Sequence, residues 1–161
     1  MSVKARIVGR VPVTSGMFVT DQKAIAGVVT AAAYTAGDAV GTITIFEVPE
    51  RGTIHSVKLI DIDDDTLSLT VHVFRDVFTP TADNAALNIS LTDLFKWVTS
   101  IDLTVTKDLG AGKVAEALVN SDYIAPNGKL YVQTHTAGTP TIAAGQIPLL
   151  QFFILPAMGG I

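Results

Sequence analysis

Along much of the chain apolar and polar residues alternate with period two, in short runs separated by glycine or proline. That period places successive side chains on opposite faces of a β-strand. The clearest run is Leu67 to Phe74, where Leu67, Leu69, Val71 and Val73 alternate with Ser68, Thr70, His72 and Phe74. Ile54 to Ile62 is its expected hairpin partner, closing near Asp64 with Val57 and Leu59 beside Val71 and Leu69 on one apolar face. Val40 to Val48 sets Ile43 and Ile45 on one face but Phe46 and Val48 on the other, which predicts a bulge or burial on both sides. Further strands are expected at Ala5 to Val13, Val28 to Tyr34, Ile101 to Thr106 and Lys129 to His135, while Lys113 to Val119 fits strand or helix. Ser90, with Asp93 following ahead of Leu94, Phe95, Trp97 and Val98, predicts one short capped helix.

About eight strands punctuated by turns predict an all-β fold, a jelly-roll-like antiparallel β-sandwich with one short helix. Residues 1–27 are expected to form an N-terminal arm or first strand, packing on or docking from a single sandwich domain over 28–161. The stretch Ile147 to Leu155 is apolar on both faces, so both should be covered. We expect Leu150, Phe152 and Ile154 to meet a neighbouring subunit or the arm. Arg6, Ile7, Val11 and Val13 are the corresponding candidates in the arm itself.

Composition changes this picture in one respect. Only 16% of residues are charged, against about 25% in ordinary soluble domains. A surface this poor in charge points to oligomerisation or to docking in a larger assembly, with a monomer covered by Thr, Ser, Asn and Ala as the alternative. The net charge of −4 carries no block of Lys or Arg, which argues against a nucleic-acid groove or an anionic membrane surface. No apolar run approaches the roughly 18 residues of a membrane span, and the expectation is a soluble protein. With no cysteine, disulfides and thiolate metal sites are excluded.

Candidate chemistry is sparse. Asp61, Asp63 and Asp65 copy the first ligand positions of a calcium loop, but Thr66 stands where that loop needs glycine and His72 where it needs a bidentate glutamate. A solvated turn is the expected reading, with a weak calcium candidate beside it. His55, His72 and His135 fall on three different strands without metal-ligand spacing, and His55 and His72 are expected on opposite faces. Gly110-Ala111-Gly112-Lys113 lacks the preceding glycine and following Ser/Thr of a phosphate loop. No paired carboxylates or nucleophile motif emerge, so neither an enzyme nor a cofactor is expected. Phe74, Phe78, Phe95, Trp97, Phe152 and Phe153 are expected in the core or an interface, with a sugar-binding surface as the alternative.

Two phrases carry a resemblance. Ala33-Tyr34-Thr35-Ala36-Gly37-Asp38-Ala39-Val40-Gly41 and Thr81-Ala82-Asp83-Asn84-Ala85-Ala86-Leu87, with the Gly52 to Phe74 region between them and Ser90 to Leu94 after, resemble small virion structural proteins of tailed bacteriophages. The likeness spans about residues 30–155, departing from the usual pattern at Leu87 and Thr92. It implies a β-sandwich component of the phage particle without catalytic residues. The expected role is a capsid decoration (cement) protein, a homotrimer bound to the major capsid protein on the capsid surface. The alternative is a receptor- or glycan-binding module of the tail or fibre.

Overall fold

The computed structural model describes residues 16–63 and 66–158. Among these residues ten strands and one helix follow in order: β1 (Phe18–Val19), β2 (Lys23–Ala24), β3 (Ala39–Glu47), β4 (Arg51–Asp61), β5 (Ser68–Phe74), α1 (Leu91–Leu94), β6 (Trp97–Thr104), β7 (Lys107–Asp108), β8 (Lys113–Ile124), β9 (Lys129–Thr136) and β10 (Leu149–Pro156). One sheet runs β1-β10-β4-β8-β7, with β2 also on β10, and the other runs β3-β9-β5-β6. Every pairing among them is antiparallel. Taking β1 and β2 as one interrupted strand and β7 as an outlying pair, eight strands interleave between two sheets in the order of a jelly roll.

The interleaving corrects the hairpin expectation. β4 pairs with β10 and β8, whereas β5 pairs with β6 and β9, so the two strands lie in opposite sheets. Val57, Leu59, Leu69 and Val71 do share one core, but they meet across the sandwich. Alternation identifies the buried face of each strand; it does not say whether the faces lie side by side or opposed.

Of the two contacts expected for Leu150, Phe152 and Ile154, a neighbouring subunit is set aside, whereas Ile25 of the arm shares their core cluster. All three are fully buried among the side chains of the facing sheet, with the Phe152 ring 4.8 Å from Phe46. They therefore hold the protomer together and present nothing to a neighbour. The other face of β10 is only partly covered, with Phe153 under the Lys58 ammonium at 5.0 Å. Arg6, Ile7, Val11 and Val13 lie outside the described residues, as does the predicted strand from Ala5 to Val13. Of the expected arm, β1 and β2 pair with β10, and Ile25 reaches the core.

Val28 to Tyr34 is not a strand. The Asp83 carboxylate accepts from Val29 N (2.9 Å) and Tyr34 Oη (2.9 Å), which bends the segment around it, and Ala31 takes a positive φ of 62°. The face switch in β3 does coincide with an irregularity, a register shift between Val40 and Thr44 against β9. The ambiguous Lys113 to Val119 becomes part of a twelve-residue strand. A second, smaller apolar cluster of Phe74, Phe78 and Tyr131 lies apart from the main core, with Ile43 and Ile89 packed against it.

Candidate functional site: an outward-facing apolar knob

The segment joining β5 to β6 carries α1, and this helix is fastened by its polar residues. Ser90 caps it, its Oγ accepting from Asp93 N at 3.2 Å and donating to Asp93 Oδ2 at 2.8 Å. The same carboxylate accepts from Thr79 N at 3.2 Å and from Lys96 Nζ at 2.8 Å. Lys96 Nζ also donates to Val77 O, and an Arg75 guanidinium nitrogen donates to Phe95 O at 3.2 Å. Asp93 is left 5% exposed. The Lys96 ammonium, with Ser90 and Thr79 behind it, holds its carboxyl below the usual range.

With the polar side chain turned in, the apolar ones turn out. Leu91 and Phe95 are 74% and 75% exposed, and Leu94, Trp97 and Val77 stand about half exposed beside them. This inverts the ordinary amphipathic helix, in which the i, i+3, i+4 stripe faces the core. A buried carboxylate under a cluster of exposed large hydrophobics is the kind of departure that marks a contact surface.

Two hollows flank the knob. One, of about 450 Å³, lies between Leu94, Trp97, Asn88 and His72. Trp97, Ser100 and His72 line it and belong to a hydrogen-bonded relay: Trp97 Nε1 donates to Ser100 Oγ (2.9 Å), Ser100 Oγ bonds His72 Nδ1 (2.7 Å), and His72 Nε2 bonds His135 Nδ1 (2.7 Å). The two imidazoles stack, with centroids 4.9 Å apart and 12° between planes. Burial, then the neighbouring His135, pushes His72 down to about 4 against some opposition from Asp102; burial also lowers His135. The relay holds the Trp97 ring in place. The second hollow, of about 350 Å³, opens on the other side of Trp97 between Arg75, Val98, Tyr123 and Ile124.

The histidines thus do more than their spacing indicates. His72 and His135 meet because β5 and β9 pair in a register that sets Thr70 against His135, a contact between residues 63 apart in sequence. His55 lies on β4, in the other sheet. In the acidic turn, Asp61 is buried and its Oδ1 accepts from Asp63 N at 3.1 Å, while Asp63 Oδ2 accepts from Ala143 N at 3.0 Å. These two carboxylates tie down local backbone, and Asp65 lies outside the described residues. Among the described residues no three His, Cys, Asp or Glu side chains are grouped to hold a metal ion.

The two phrases that carry the sequence resemblance are bonded to each other. Asp83 accepts from Gly41 N (2.6 Å) as well as from Tyr34 and Val29. Ala39 N donates to Ala85 O, Asn84 N to Ala39 O, and Leu87 N to Gly37 O. The Asp38 carboxylate accepts from Thr35 N and Oγ1 at 2.8 and 2.6 Å, and these bonds hold it below the usual carboxylate range. The phrases form a structural clasp between the start of β3 and the loop after β5. Compared with protein-family models, curated proteins and solved structures, the chain matches none.

Proposed function

We propose that this protein is a structural component of a tailed-phage particle, a capsid decoration protein that works by binding rather than by chemistry. The observation that carries this reading is the inverted helix: Asp93 buried, Phe95 and Leu91 exposed, and the whole knob clamped by Ser90, Thr79 and Lys96. A clamped apolar surface loses little entropy when covered, so the area it buries goes further toward affinity. The low charge content and the sequence phrases clasped around Asp83 support the virion setting. In this reading the protomers assemble as a trimer on the major capsid protein. A standard interface of ~1,600 Å², repeated by symmetry, then reinforces the shell through avidity.

Co-sedimentation with capsids stripped of accessory proteins tests it. The protein is expected to pellet with such capsids at a fixed ratio to the capsid subunit. A protein that stays in the supernatant but binds host cells or glycans would belong instead to the tail or fibre. That second reading has its own observation: Trp97, half exposed and held by Ser100, forms an edge of the 450 Å³ hollow beside the exposed Asn88. An aromatic platform next to an amide is a common arrangement for a sugar ring.

A further inference from the structure

We infer that the knob is covered by a second copy of this chain, with Phe95 of one protomer entering the 350 Å³ hollow of the next. The inference rests on the reading of the knob as a docking element and adds its occupant. Knob and hollow adjoin on one protomer: Trp97 lies between them, and Arg75, which lines the hollow, also donates to Phe95 O. A protrusion beside a matching recess is self-complementary, so two copies can each give and receive, and copies arranged in a ring can do the same.

The sizes agree. An apolar cavity of about 150 Å³ holds a benzene ring, and the hollow is more than twice that. Its walls are Trp97, Val98, Tyr123 and the half-exposed Ile124, with Arg75 and Asp122 as the charged groups. Arg75 supplies a cation for the face of an incoming ring. The carboxylate on α1, Asp93, is already engaged by Lys96. Area points the same way. Phe95, Trp97, Leu91, Leu94, Val77 and Ile124 expose roughly 100 Å² each, as half to three-quarters of large side chains do. Their sum is most of the ~800 Å² per partner of a standard interface.

Light scattering on the purified full chain at micromolar concentration tests this. The wild type is expected at two or three protomer masses. Phe95→Ser and Ile124→Lys, both at exposed positions, should each give a folded monomer whose melting temperature no longer depends on protein concentration, as the wild type's does. An equimolar mixture of the two should recover a complex, since one variant keeps the hollow and the other keeps the knob. A monomeric wild type, a Phe95→Ser protein of wild-type mass, or a mixture that stays monomeric would each overturn the inference. A wild-type monomer that still pellets with stripped capsids removes self-association and leaves the virion reading standing. An oligomer lost in Phe95→Ser that ignores capsids does the reverse.

Discussion

His72 Nε2 and His135 Nδ1 share one hydrogen bond, 2.7 Å long, between two stacked rings on neighbouring strands. Only one of the two nitrogens can carry the bridging proton, so the arrangement needs at least one neutral ring. Burial pushes His72 down to about 4 from an ordinary value of 6.5. The native state therefore binds that proton less readily than the unfolded chain. Stability is complete above about pH 6.5, declines as the pH falls toward 4, and levels off below it. With allowance for solvent screening of a partly exposed ring, the loss is about 1–2 kcal/mol. Urea midpoints at pH 7 and pH 4.5 measure it. His72→Gln should show a smaller drop than wild type, and equal drops would rule the pair out as the cause.

Asp83 is the centre of the clasp, accepting from a tyrosine hydroxyl and two backbone amides. Asp83→Ala leaves those donors unmatched, at a cost of about 2–4 kcal/mol in unfolding free energy. Tyr34→Phe removes one bond and should cost about 1 kcal/mol. Chemical denaturation checks both. Burial, then the Asp83 carboxylate, raises the Tyr34 hydroxyl well above its ordinary range. Burial also raises Tyr123, to about 12. Absorbance of the native protein up to pH 11 should therefore show two of the three tyrosines, Tyr34 and Tyr123, largely un-ionised.

Some of this was legible in the sequence. Period-two alternation located β4 and β5 within a few residues and marked their buried faces, because burial on one face of a pleated strand leaves that trace directly. β9 and β10 were located as strands too, but β10 read as apolar on both faces and only one of them is fully buried. The sheet partners were not legible. A strand that crosses to the opposite sheet and one that turns back as a hairpin carry the same alternation, and only the contacts of β4 with β8 and β10 decide between them. The Ser90–Asp93 cap was readable, but its outward stripe was not. Thr79 N fixes which side of α1 faces in, and that amide reaches Asp93 from 14 residues away. The histidine pair was hidden for the same reason, its members being joined only by the β5–β9 register.

Gly41 has a φ of 73° and lies where an added Cβ would run into Ala26 O and, at 2.7 Å, into Ile25 Cγ2. Both the left-handed backbone and the space demand glycine. Gly41→Ala should cost about 3 kcal/mol or more and also weaken the bond from Gly41 N to Asp83. A thermal melt within a degree or two of wild type would contradict this.

Phe152 and Phe95 are the same side chain in opposite settings, fully buried and three-quarters exposed. Phe152→Ala should cost about 3–5 kcal/mol in unfolding free energy. Phe95→Ser should stay within about 0.5 kcal/mol of wild type when both are measured as monomers in urea. Similar losses for the two would mean that Phe95 supports the protomer itself.

β10 lies between β1–β2 and β4, and its side chains complete the core opposite Phe46. Phe18 and Val19 must wait for partners more than 130 residues further along the chain. During synthesis, then, this sheet stays in two separate pieces until residues 149–156 have left the ribosome. An interrupted translation product ending before β10 would hold an open apolar trough, a substrate for chaperones and proteases rather than a smaller version of the domain.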